Sequence, residues 1–260
     1  MDTTQALILG LLQGLTEFLP VSSSGHLEIG HAVLGIHSGE NLLFAVAVHM
    51  ATVLSTLVVF RKYIVVLLKD LFAFRWNEST KYISKLLLSA VPVLFIGMLF
   101  KEQIEMFFTG NLILTGSMLI ITAAILMLTG FVKHSEGKIT YAKAFLIGIA
   151  QAVAILPGIS RSGSTIATGL FLKTKKEDVA RFSFLMVLIP VIGATFLDIV
   201  GGDFTSENTI GTLPLLTGFV AAFVSGLLAC SWMIKIVKKG KLTYFAIYCL
   251  IIGLIAIFAA

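Results

Sequence analysis

The chain reads as an all-α polytopic membrane protein, with six transmembrane helices and two re-entrant helix pairs in an inverted-topology repeat. Three observations predict this. Of its 260 residues, 57% are hydrophobic and only 13% charged, at a mean hydropathy of +1.00, far more apolar than a soluble domain. One polar motif occurs twice within apolar surroundings. The basic residues fall into blocks that separate the apolar runs.

The first copy of the motif carries Gln13, Glu17, Pro20, Ser22, Ser23, Ser24, Gly25 and His26. The second carries Gln151, Pro157, Gly158, Ser160, Arg161, Ser162, Gly163, Ser164 and Thr165. With a one-residue shift at the proline, Ser22, Ser24 and Gly25 lie opposite Ser160, Ser162 and Gly163. Ser23 then lies opposite Arg161, and His26 opposite Ser164. The two copies share a shape and differ in chemistry.

In chain order, residues 5 to 19 are helical in pattern but short of the roughly 20 residues that a crossing needs. Pro20 ends them, because it lacks an N–H and disfavours helix in the residue before it. The serines and Gly25 make a turn, and His26 to Gly35 lead back to the starting side. Residues 41 to 60 are the first span, and a basic stretch from Arg61 to Lys85 leads to a second span ending near Phe100. A third runs from Leu112 to Val132 and closes the first repeat, residues 1–132. The second repeat, 133–260, opens with the second motif copy at 144–172. A span to about Val200, an acidic loop with Asp203 and Glu207, a span from Thr212 to Ile234 and a last span to the C-terminus follow. All 260 residues form one membrane domain.

If both motif copies turn back, the loops at 61–85, 133–143, 173–181 and 235–241 share one side. They hold seventeen of the nineteen Lys and Arg residues, which marks that side as cytoplasmic. The net charge of +5 is thereby explained without a nucleic-acid partner. The first copy must then dip in from the outer face and the second from the cytoplasmic face, as in inverted repeats with unusual backbone near the bilayer midplane. Cys230 and Cys249 lie in apolar segments, so neither a disulfide nor a metal site is expected there. The first residues lack the basic start of a cleaved signal peptide.

Arg161 is the most informative residue, because a guanidinium at membrane depth must face a partner or a wet cavity. Its fork of donors suits phosphate or carboxylate, and the alternative is a staple to Glu17. Each serine turn opens a helix, near His26 and Ser164, so two helix N-termini converge as an anion site. Gln13 and Glu17 share a helical face, where Glu17 serves as a base, orients His26 or holds a hard cation. His26 is a candidate nucleophile or general acid/base, with Ser22, Ser23 and Ser24 as hydroxyls it could activate or as plain turn residues. His31, His37, His49 and His134 are read as structural. Gly10 and Gly14 form a GxxxG pair.

Together these residues resemble the bacterial undecaprenyl pyrophosphate phosphatases of the integral-membrane type first noticed through bacitracin resistance. The likeness rests on Gln13 and Glu17 as a (Glu/Gln)-x-x-x-Glu element, on the following Phe-Leu-Pro-Val-Ser-Ser and Gly25-His26, and on Pro157-Gly158-x-Ser160-Arg161-Ser162-x-x-Thr165. Phe-Ser-Phe at 182–184 adds to it. The resemblance implies hydrolysis of a C55 isoprenyl pyrophosphate to the monophosphate and inorganic phosphate, recycling the lipid carrier of cell-wall synthesis. It also implies Mg²⁺ or Ca²⁺ dependence, a homodimer in the cytoplasmic membrane and a site open to the outer face. Glu17, Ser23, His26 and Arg161 are then the catalytic candidates, with Glu17 also the metal candidate. Gln13, Ser22, Ser24, Gly25, Ser160, Arg161, Ser162, Gly163 and Thr165 would bind substrate. Gln13 stands where some members have Glu, leaving a single carboxylate in that element. The rival readings are an inverted-repeat transporter or flippase for an anionic lipid or solute and, more distantly, an intramembrane serine protease. Replacing Glu17, His26 or Arg161 by Ala is expected to abolish most turnover with stability nearly unchanged.

Overall fold

A computed structural model describes residues 1–36, 42–108, 110–132, 136–201 and 210–260. His37, His134, Asp203 and Glu207 lie outside the described residues. The described residues are helical, with one isolated bridge between Gly137 and Thr174. The helices are α1 (Thr3–Phe18), α2 (Ser23–Leu34), α3 (Leu42–Val59), α4 (Arg61–Phe72), α5 (Glu78–Leu99), α6 (Lys101–Glu105) and α7 (Leu112–Leu128). They continue with α8 (Tyr141–Val153), α9 (Arg161–Phe171), α10 (Lys176–Met186), α11 (Leu188–Gly201), α12 (Thr212–Lys239) and α13 (Thr243–Phe258).

Among the described residues, five segments are long and apolar enough to cross a membrane: Leu42–Val59, Glu78–Leu99, Leu112–Phe131, Lys176–Leu197 and Thr212–Lys239. The chain is a multi-pass membrane protein. The sixth expected span, α13, has 16 residues. At 1.5 Å per residue it reaches only about 24 Å, short of the roughly 30 Å hydrocarbon core. The fourth segment is broken at Val187, between α10 and α11. Pro190 follows within the first turn of α11, where its missing N–H costs nothing. Within the expected basic stretch lies α4, whose Val65, Val66 and Phe72 stay exposed beside Arg61, Lys62 and Lys69. That mix, followed by exposed Phe74 and Trp76, suits the membrane interface.

The motif copies form two helical hairpins, α1 with α2 and α8 with α9. Asp2 and Gln5 start α1 with a capping box, and Leu19 leaves the helix in extended backbone before Pro20. Ser22 then caps α2 by accepting from Gly25 N at 3.3 Å, and Ser160 caps α9 by accepting from Gly163 N at 3.0 Å. The caps are equivalent, as the alignment of the copies requires. Both second helices start at the residue after the cap, Ser23 and Arg161, three residues earlier than expected.

Packing follows the duplication. The first hairpin's α1 lies along α12, the second hairpin's α8 lies along α5, and α7 packs on α13. Small residues allow these close crossings. Gly10 and Gly14 sit against Gly218, Ser225 and Gly226 of α12, while Gly148 sits against Ser89 of α5. Gly116 and Gly253 meet reciprocally between α7 and α13, where a Cβ on either would lie within 2.7 Å of the other's carbonyl oxygen. At the other level, the four basic segments touch one another. Gly137 exchanges backbone hydrogen bonds with Lys173 and Lys175, and Lys238 pairs with Glu177 at 3.2 Å. Tyr63, Lys85, Lys138 and Arg181 border one shared cleft.

Candidate active site

The two hairpin tips meet tip to tip. Ser162 Oγ donates to Leu19 O at 3.0 Å, and Gly25 packs on Gly158. Gly158 has φ +90°, and a Cβ there would overlap Thr115 O and approach Met118 Cβ to 2.7 Å, so only glycine fits. Thr122 locks this turn by donating to Gly158 O at 2.9 Å and accepting from Ser160 N at 3.0 Å. Ser22 also has positive φ, +69°, which is uncommon for a residue with a side chain and is held by its own cap bond.

This junction brings the first residues of α2 and α9 onto one carboxylate. Ser23 Oγ donates to Glu17 Oε2 at 2.6 Å, and Arg161 Nη2 meets Glu17 Oε1 at 2.5 Å. Gln13 Nε2 donates to Oε2 at 3.1 Å, as the i, i+4 spacing allows. Arg161 Nη1 donates to Ser183 O at 3.2 Å, and the Ser183 hydroxyl bonds Thr165 Oγ1 at 2.7 Å. The flanking Phe182 and Phe184 are fully buried, with Phe184 edge-on to Phe18 at 5.8 Å. The Phe-Ser-Phe sequence thus wedges a carbonyl against the guanidinium. The Glu17 and Arg161 side chains are 10% and 15% exposed. A charge pair so withdrawn from water stands because both carboxylate oxygens and both terminal guanidinium nitrogens are hydrogen-bonded.

Glu17, Ser22, Ser23, Ser24 and Arg161 line a cavity of about 390 Å³, the size of a small-ligand site. Its other wall is mostly apolar and comes from α3, α5 and α11, with Val46, Val93, Pro190 and Val191 among its residues. The remaining expected residues stand behind that surface. Gln13 is fully buried behind Glu17; Ser160 and Gly25 build the caps; Ser162 and Gly163 hold the hairpins together, and Thr165 ties α9 to Ser183 of α10.

His26 is placed differently from the other catalytic candidates. It does not line the cavity. Its Nδ1 lies 2.8 Å from Ser22 O and its Nε2 2.9 Å from Tyr248 Oη, with the two rings stacked at 5.5 Å and 7°. A carbonyl can only accept, so Nδ1 carries a proton and the ring braces the Ser22 turn against α13. Two residues outside the expected set do face the cavity, His49 of α3 and Gln151 of α8. Gln151 is 2% exposed, and neither end of its amide has a hydrogen-bond partner. Its place opposite Gln13 in the duplicated motif was a usable signal. For His49 the signal was periodicity, since His49, Thr52 and Thr56 form one polar stripe on an apolar span, and Thr52 and Thr56 border a smaller recess beside Glu17 and Arg161.

The donor set can be tested against a hard cation. Mg²⁺ is commonly held by one or two carboxylates together with substrate phosphate oxygens and water. Glu17 supplies one carboxylate to the cavity, and the unpartnered amide oxygen of Gln151 supplies a neutral donor on the same wall. The residues fit that mode.

Over residues 6–255 the sequence matches the model of the bacitracin resistance protein BacA family. The chain belongs to this family. Members named undecaprenyl-diphosphatase include one from Christiangramia forsetii, 51% identical over 262 residues that cover 100% of this chain and 99% of the relative. One from Bacteroides fragilis is 52% identical over 99% of this chain and 98% of its own length. Another, from Methanobrevibacter smithii, is 35% identical over 98% of this chain and 96% of its own length. In this BacA-family chain the two motif copies that carry the sequence likeness are also the two hairpins that build the cavity.

Proposed function

We propose that the chain is a phosphatase that hydrolyses undecaprenyl diphosphate to the monophosphate and inorganic phosphate, the step that returns the lipid carrier to cell-wall synthesis. The observation that carries this reading is the convergence of Ser23 and Arg161 on Glu17 at the wall of one cavity with a mostly apolar opposite side. A diphosphate needs the guanidinium and the helix N-termini, and an isoprenyl chain needs the apolar wall. The names of the relatives point the same way.

In this reading Arg161 turns from Glu17 toward the terminal phosphate, supported by the first N–H groups of α2 and α9. Ser23 Oγ attacks the terminal phosphorus and passes its proton to Glu17 Oε2, along the hydrogen bond they already share. The bond from that phosphorus to the bridging oxygen breaks, and its electron pair leaves on the lipid monophosphate. Water then attacks the phosphoserine, Ser23 recovers its proton from Glu17, and inorganic phosphate departs. Glu17 and the Gln151 amide oxygen would hold Mg²⁺ or Ca²⁺, which when bound supplies charge neutralisation to the diphosphate oxygens. His26 acts at one remove, by fixing the Ser22 turn that aims Ser23.

The topology belongs to the same proposal. Exchanged packing of α1 on α12 and α8 on α5 supports an inverted repeat of residues 1–132 and 133–260 with re-entrant hairpins. The mutual contact of the basic segments supports a single cytoplasmic side, and Phe108 on the cavity wall, beyond the far end of α5, supports an opening to the outer face. A homodimer in the bacterial cytoplasmic membrane is proposed on family resemblance alone. The experiment that decides between hydrolysis and transport uses proteoliposomes carrying a long-chain isoprenyl diphosphate and Mg²⁺. Phosphatase action releases inorganic phosphate in proportion to lost diphosphate; movement of intact diphosphate between leaflets with no phosphate released would establish the transporter instead.

A further inference from the structure

The hydrolysis just described leaves one proton unassigned. Water that attacks the phosphoserine must lose a proton, and Glu17 is then occupied with returning one to Ser23. Among the described residues lining the cavity, the groups able to carry charge are Glu17, Arg161 and His49. Arg161 does not release a proton in proteins. The remaining polar wall is formed by serines, Thr195 and the Gln151 amide. None of these takes a proton near neutral pH.

His49 is built for the task. It sits on α3, a rigid 18-residue helix, and is half-buried. Its Nδ1 lies 2.8 Å from Ala45 O one turn back, so Nδ1 carries the hydrogen and the lone pair of the neutral ring is on Nε2. The ring and the Glu17 carboxylate border the same cavity. His26 differs on each count: it is off the cavity wall, and Tyr248 occupies its Nε2.

We propose that His49 is a catalytic residue of this chain, the general base for the water that cleaves the phosphoserine. The water oxygen bonds to phosphorus, the bond from phosphorus to Ser23 Oγ breaks with its pair on the serine oxygen, and the water proton passes to His49 Nε2. The imidazolium then returns that proton to solvent. Gln151, buried and unpartnered, lines the same cavity.

This inference rests on the phosphatase reading, and the test separates the two. Phosphate release from a long-chain isoprenyl diphosphate is measured for wild type, His49→Gln and His49→Ala, alongside binding of a non-hydrolysable diphosphonate analogue. No release by wild type ends the phosphatase reading itself. Given wild-type activity, both variants should lose about a hundredfold or more in kcat while binding the diphosphonate as wild type does. Added imidazole should restore activity to His49→Ala in a concentration-dependent way. Wild-type rates in either variant would overturn the proposal, as would an inactive His49→Ala that binds the diphosphonate and is not rescued. Should His49→Ala fail to fold, His49→Gln decides: full activity refutes a proton-transfer role, and lost kcat with retained binding supports it.

Discussion

Removing either partner of the Glu17–Arg161 pair should cost stability as well as activity. The pair is at 2.5 Å, its side chains are 10% and 15% exposed, and it joins hairpins 144 residues apart in sequence. Truncating one member of such a pair leaves a buried charge unpaired, which costs about 3–5 kcal/mol. Arg161 also loses its bond to Ser183 O, whereas Glu17→Gln keeps partners for Ser23 and Gln13, so Arg161→Ala should sit at the upper end. Removing both together takes away the unpaired charge, and a coupling of about 0.5–3 kcal/mol is expected between the sites. The assay is thermal or denaturant unfolding in one detergent for Glu17→Gln, Arg161→Ala and the double variant. Singles as stable as wild type, or strictly additive losses, would refute the argument that the pair ties the hairpins together. The sequence alone suggested that Glu17→Ala and Arg161→Ala would spare stability; the withdrawn geometry of the pair leads to the opposite prediction.

Gly158→Ala should destabilise by about 3 kcal/mol, since φ +90° strains any Cβ and the added carbon collides with Thr115 and Met118; wild-type unfolding would count against the described turn. Gln151→Leu should leave stability unchanged or raised, because an amide without partners contributes nothing to the fold, yet should raise KM about tenfold. An unchanged KM would remove Gln151 from the site. Chelation should abolish phosphate release and Mg²⁺ or Ca²⁺ should restore it; full activity in excess chelator would rule out the cation role assigned to Glu17 and Gln151.

Much of this was legible in the sequence because local rules decide it. Pro20 stops a helix wherever it falls, and Ser22 and Ser160 cap the next ones through bonds that reach only three residues. The duplicated spacing placed Ser23 opposite Arg161, and the structure has both at the first position of a helix, bonded to one carboxylate. What was not legible depends on packing between distant segments. His26 drew attention because it adjoins the serines in sequence, yet one turn of helix carries it toward Tyr248. His49 is far from both motifs in sequence and reaches the cavity only because α3 packs along α12 and beside α1.

The most direct measurement follows the two phosphorus signals of a C55 isoprenyl diphosphate by phosphorus NMR in detergent with Mg²⁺, using wild type, Ser23→Ala and Glu17→Gln. The account predicts that wild type replaces them with one lipid monophosphate signal and one inorganic phosphate signal in equal amounts, while both variants leave the diphosphate intact. A diphosphate that persists with wild type, or is cleaved equally by all three proteins, would contradict it.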